Sequence, residues 1–108
     1  MNKETEQSIA QLQLIEQNVT NLSMQRQAFQ GKLLEIENAL KETEKTSGPA
    51  YRIIGNIMVA STKEEIKKDL ESKKEMFELR IKSFEKQEKQ FKEKAEQLQS
   101  SVLKELKK

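Results

Sequence analysis

Two stretches of the chain place residues at strictly alternating spacings of three and four. The first runs Leu12, Ile15, Val19, Leu22, Arg26, Phe29, Leu33, Ile36, Leu40, Thr43, and the second runs Leu70, Lys74, Phe77, Ile81, Phe84, Glu88, Phe91, Ala95, Leu98, Val102. Eight of the ten positions are apolar in each. Sustained over several heptads, this spacing marks a coiled-coil seam, narrower than the face a helix turns to a globular core. Between the seam positions lie mostly Glu, Gln, Lys and Leu, all good helix formers. The pattern predicts one helix over about residues 3–46 and a second over about 63–106, each roughly 65 Å long.

The breaks fall where the periodicity stops. Ser47-Gly48-Pro49 reads as a helix stop, with Gly48 suited to a left-handed cap and Pro49 unable to continue the helix. Thr62-Lys63-Glu64-Glu65 reads as a capping box that opens the second helix, with Thr62 as N-cap and Glu65 reaching back. Gly31 falls on the outer face of the first helix, where it costs about 1 kcal/mol relative to Ala without breaking the seam.

Folded against each other in antiparallel fashion, the two seams match when paired residue numbers sum to about 110. Leu40 then meets Leu70, Leu33 meets Phe77, Phe29 meets Ile81, Val19 meets Phe91 and Leu12 meets Leu98. The two charged interruptions, Arg26 and Glu88, fall in adjacent layers. Either they pair across the seam and fix its register, or both side chains reach water separately.

Between the helices the period changes from seven to two. Ala50–Ile54, then Gly55-Asn56, then Ile57–Ala60 reads as a β-hairpin over about residues 50–60, with Gly55 leading a type II′ turn. Counting outward pairs Ile54 with Ile57, Ile53 with Met58, Arg52 with Val59 and Tyr51 with Ala60. Ile54, Ile57 and Val59 then share one face, and Tyr51, Ile53 and Met58 the other. A lone two-stranded ribbon is marginal in water, and one apolar on both faces needs further strands beside it. Folding back onto its own helices would bury one face and leave the other. The fold expected is mainly α: an antiparallel two-helix coiled coil with one β-hairpin at the connection, forming one unit over residues 1–108.

Composition narrows the chemistry. Half of the 108 residues are Ala, Glu, Lys, Leu or Arg, a coiled-coil composition, and 34% are apolar, which is thin for a rounded core. Without Cys or His, thiol chemistry, Cys zinc sites and the commonest general base are absent. The many Glu residues interleave with Lys as a solvated helix surface, and no Gly-rich loop opens a phosphate site, so no catalytic residue, metal or cofactor is expected. Residues 63–108 carry net positive charge, but Glu breaks up any phosphate-tracking stripe and nucleic acid is not the expected partner. The longest apolar run, Ile57-Met58-Val59-Ala60, is far short of a membrane span, and the N-terminal residues lack a signal-peptide pattern. A soluble cytoplasmic protein is expected.

Tyr51-Arg52-Ile53-Ile54-Gly55-Asn56-Ile57-Met58-Val59, followed by a capped helix carrying Leu79-Arg80-Ile81 and Phe84-Glu85-Lys86-Gln87-Glu88, resembles the β-class subunits of prefoldin, most closely the archaeal form. The order of helix, hairpin and helix agrees, while Ser47-Gly48-Pro49 and the phenylalanines at 77, 84 and 91 depart from the family pattern. The resemblance implies an ATP-independent holdase chaperone of two α-class and four β-class subunits. Its hairpins would form a β-barrel platform; here Tyr51, Ile53, Ile54, Ile57, Met58 and Val59 would carry that oligomerisation. It implies that non-native clients are held at the distal coil tips and passed to a group II chaperonin. At the pairing sum of 110 the tip holds Ile9, Leu12, Leu98, Val102, Leu103 and Leu106, the expected client-binding residues. A plain structural coiled-coil scaffold is the alternative, as is a weak nucleic-acid-binding coiled coil.

Overall fold

A computed structural model describes residues 2–107. The element order is α1 (Lys3–Lys45), β1 (Ala50–Ile54), β2 (Ile57–Ser61) and α2 (Lys63–Leu106). The chain forms two compact units: one takes in Met1–Gln27 with Lys82–Lys108, the other Ala28–Ile81.

In the first unit α1 and α2 run antiparallel, as the bond from Asn2 to Glu105 and the ion pair of Arg26 with Glu88 require. Ile15 and Phe84 are buried in its seam, with Val19, Leu22, Phe91, Ala95 and Leu98 half-buried beside them. The seam continues outward through two polar positions, buried Thr5 and half-buried Ser8, which the apolar count does not reveal.

In the second unit the helices are again antiparallel, with Phe29 meeting Phe77 edge to face at 5.4 Å and Lys67 meeting Glu44. Ile36 and Ile81 are buried there, and Leu33, Leu40, Leu70 and Phe77 are half-buried. Lys32 and Arg80 both lie over the Phe29 ring, adding cation–π attraction at the seam's edge. All twenty predicted seam positions are buried or half-buried. The cross-helix contacts of both units fall within about one helical turn of the expected pairing sum. The core is thin: no described side chain is fully shut off from solvent.

The helix ends are closed by identifiable groups. The backbone N–H of Glu65 donates to Thr62 Oγ1 at 3.1 Å, and that of Thr62 donates to Glu65 Oε2 at 3.5 Å, so the capping box forms as the sequence predicts. The end of α1 differs from expectation. Gly55 alone among the glycines has a positive φ, so Gly48 makes no left-handed cap. The carbonyls of the last turn find partners elsewhere. Thr46 donates both its backbone N–H and its hydroxyl to the Glu42 carbonyl, and the Lys63 ammonium donates to that of Glu44. With those acceptors satisfied, nothing requires the strained backbone.

The hairpin register is the predicted one, and β2 extends one residue further, where Ser61 pairs with Ala50. Gly55 has φ 62°, while among the described residues no non-glycine has positive φ. A type I′ turn needs positive φ at both central residues, so Asn56 excludes it and the II′ form fits.

Candidate functional site: the exposed ribbon and the free coil end

The hairpin lies in the second unit, and its apolar side chains are left in water. Ile53 is 73% exposed, Met58 69% and Ile57 67%; Tyr51, Ile54 and Val59 are exposed to lesser degrees. Both faces of the ribbon contribute, so the predicted oligomerisation residues come together as one two-sided apolar surface. Monomeric proteins seldom leave such a surface uncovered.

An ion pair that sequence reasoning did not identify links the ribbon to α2. Arg52 of β1 bonds the Asp69 carboxylate on α2. Arg52 shares its ribbon face with Ile54 and Val59, the less exposed of the large apolar residues there. Ile57, on the same face, stays 67% exposed, so the contact does not close it. No periodicity could have shown this contact, because both partners look like ordinary surface charges in the sequence.

A groove of about 390 Å³ follows β1. Four consecutive strand residues, Tyr51, Arg52, Ile53 and Ile54, line it, together with Ala39, Thr43, Ile66 and Leu70 of the helices. Consecutive strand residues alternate between faces, so a groove touching all four runs along the open strand edge. That edge presents unpaired backbone groups above a mixed helical floor, with Ala39, Ile66 and Leu70 apolar and Thr43, Asp69 and Lys73 polar, a combination suited to receiving another strand.

Below the ribbon, Lys67 Nζ lies 2.6 Å from Glu44 Oε1. The hydrogen bond, and then the charge attraction, hold the Glu44 carboxyl below its ordinary value and the Lys67 ammonium above its own. Both groups are solvent-exposed, so this pair adjusts the helix ends more than it stabilises them.

The predicted client-binding residues all lie in the first unit, at the free ends of α1 and α2. Ile9, Leu12, Leu98 and Val102 are half-buried, whereas Leu103 and Leu106 are 57% and 58% exposed. The structure thus divides the set into four residues engaged beside the seam and two that are open. A small cleft of about 150 Å³ at this end is lined by Asn2, Thr5, Ser8, Val102 and Glu105 among others. Asn2 and Glu105 are the residues the sequence reading passed over. The signal was present: Thr5, Ser8 and Glu105 continue the 3-4 spacing, but they are polar.

Further along the first unit, Arg26 Nε donates to Glu88 Oε1 at 2.8 Å, and Arg26 also donates to Ser23 Oγ at 3.3 Å. This decides between the two sequence readings in favour of a pair. Glu88 is buried and Arg26 half-buried, so the arginine brings its charge in from the rim to the carboxylate.

Among the described residues no cluster of His, Cys, Asp and Glu could hold a metal ion, and no helix is long and apolar enough to cross a membrane. The class defined by this fold is the two-helix coiled coil that carries a β-ribbon at its connection. Residues 6–108 match the family model described as prefoldin subunit, and the chain belongs to that family of chaperone subunits. It is 35% identical over 96 residues to the prefoldin subunit beta of Archaeoglobus fulgidus, covering 87% of this chain and 83% of that one. It is 30% identical over 101 residues to the prefoldin subunit beta of Saccharolobus islandicus strain L.S.2.15, covering 92% and 80%. The crystal structure of the prefoldin beta subunit from Thermococcus strain KS-1 superposes with a TM-score of 0.94 at 28% identity, covering 99% of this chain and 96% of that one. The beta2 subunit of the same strain shares the fold, with a TM-score of 0.74 at 21% identity.

Proposed function

We propose that the chain is a β-class subunit of a cytoplasmic, ATP-independent holdase, assembled through its hairpin and holding non-native polypeptides at its coil ends. The observation that carries the assembly half is the ribbon, with large aliphatic side chains exposed on both faces and a groove along its β1 edge. Burial of Tyr51, Ile53, Ile54, Ile57, Met58 and Val59 against neighbouring subunits supplies the driving force, at roughly 25 cal/mol per Å² of apolar surface. The partner is an α-class prefoldin subunit, in a hexamer of two α and four β chains.

The client half rests on the free ends of the helices. Ile9, Leu12, Leu98, Val102, Leu103 and Leu106 offer a small apolar surface on a seam that grows polar toward its end. Each contact is weak, and several coil ends meeting one client supply avidity in place of ATP-driven capture. Delivery to a group II chaperonin completes the reading; catalysis has no part in it.

Two measurements test the proposal. Ile57→Asp, with the chain mixed with an α-class partner and sized by light scattering, should yield free subunits whose far-ultraviolet dichroism stays helical. A full-size complex from this variant would overturn assembly through the ribbon. Deleting residues 1–8 and 101–108 should leave the complex intact and abolish suppression of aggregation. Undiminished protection by the trimmed complex would move the client surface elsewhere, such as the sides of the coils.

A further inference from the structure

We infer that Asn2 is a latch on the free end of the coil and sets how often that end opens to a client. The inference rests on the reading of the coil end as client surface, and its first test is independent of that reading.

Both halves of the Asn2 amide are engaged, each with a different helix. Oδ1 accepts the backbone N–H of Thr5 at 2.7 Å, while the Asn2 carbonyl accepts that of Glu6 at 3.2 Å, so Asn2 is the N-cap of α1. Nδ2 donates to Glu105 Oε1 at 2.9 Å, and Glu105 lies in the last turns of α2. One short side chain therefore starts one helix and ties it to the end of the other.

The layers under this tie are poorly suited to holding the end closed. Thr5 and Ser8 occupy the seam positions of α1, facing Val102 and Glu105 across the cleft. Helix ends also fray, because their outer backbone groups lack intrahelical partners. Only half-buried apolar residues oppose opening at this end, and the Asn2 tie adds to them a bond that joins the two helices directly. Once it opens, Ile9, Leu12, Leu98 and Val102 lose their cover and join Leu103 and Leu106, already exposed, in one larger apolar patch. A client that binds only the open form has an apparent affinity lowered by the fraction that is closed, and weakening the latch raises affinity in proportion.

The test separates cap from tie. Asn2→Asp keeps an oxygen to cap α1 but loses the amide donor and sets a second carboxylate against Glu105. Asn2→Ala loses both functions. Full-length chains, assembled with an α-class partner, are compared by hydrogen exchange of residues 3–12 and 98–106 and by titration with labelled, reduced and carboxymethylated α-lactalbumin. Asn2→Asp should speed exchange at both helix ends by about fivefold, the ratio that one net hydrogen bond supplies, and tighten binding of the unfolded probe by a similar factor. Asn2→Ala should speed exchange further, most of all over residues 3–12, because the cap goes with the tie. Wild-type exchange in Asn2→Asp would overturn the latch, leaving Asn2 an ordinary cap. Faster exchange with unchanged binding would overturn gating, and the trimmed complex then decides whether the coil end is the client surface. If the latch alone is wrong, trimming the ends still abolishes protection.

Discussion

Removing Arg26 should destabilise the chain more than removing Glu88, and removing both should cost little. The asymmetry follows from burial. The Glu88 side chain is 9% exposed and that of Arg26 24%. Arg26→Leu leaves a buried carboxylate without its charged partner, whereas Glu88→Leu leaves an arginine long enough to extend to water. Stripping the partner from a fully buried pair costs about 3–5 kcal/mol. Here water reaches the arginine end, so a charged hydrogen bond of about 1.5–3 kcal/mol is the better guide for Arg26→Leu. Glu88→Leu should cost about 1 kcal/mol or less, with leucine adding seam packing in partial compensation. The double variant puts two leucines into adjacent layers and should be neutral or stabilising. The assay is urea unfolding followed by helical dichroism, at one protein concentration because assembly shifts apparent stability. A double-mutant cycle then isolates the coupling, expected from these values at about 1.5–4 kcal/mol. Coupling within about 0.5 kcal/mol of zero, the scatter of independent sites, would refute the pairing as an energetic device. Equal losses from the two single variants would refute the burial argument.

Three smaller perturbations read other parts of the structure. Gly31→Ala should stabilise α1 by up to about 1 kcal/mol, because a Cβ there meets nothing within 4 Å and φ is not positive; a fall in the thermal midpoint would contradict this. Thr62→Ala should cost about 1 kcal/mol by opening the capping box, and Thr62→Ser should restore most of it in the same melt. The Glu44–Lys67 pair predicts a pH window. The carboxyl is lowered from 4.5, so its stabilisation is present above that value and is lost as pH falls through the folded value. The ammonium is raised from 10.5, so its stabilisation is present below that value and is lost as pH rises through the folded one. Glu44→Gln should therefore lower the thermal midpoint at neutral pH and low salt, by an amount that disappears in strong acid and in about 1 M salt; a difference that survives both would place its cause outside the ion pair.

Much of the fold was legible in the chain because it is built from local periods. A 3-4 spacing places residues on one side of a helix whatever lies opposite, so the twenty seam positions could be named before any packing was known. The turn did the same for the ribbon: Gly55-Asn56 marks a two-residue turn, and strand pairing follows by counting outward. The antiparallel register was legible within one heptad, since a pairing sum of about 110 matches both seams and places Arg26 and Glu88 in adjacent layers, while the structure supplies the contact between them. Tertiary structure decided which charged groups meet. Whether Arg26 reaches Glu88 or water depends on burial of a few side-chain atoms, which spacing does not encode. Arg52 with Asp69 and Asn2 with Glu105 join residues far apart in sequence and individually unremarkable, so no pattern marks them. The end of α1 teaches the same lesson in reverse. Gly48 permits a left-handed cap, but the carbonyls that would demand it are taken by Thr46 and by Lys63, a residue beyond the hairpin. Periodicity reports where a side chain sits on its own element; only the folded chain settles which polar group a neighbouring element supplies, because that depends on distances no local rule contains.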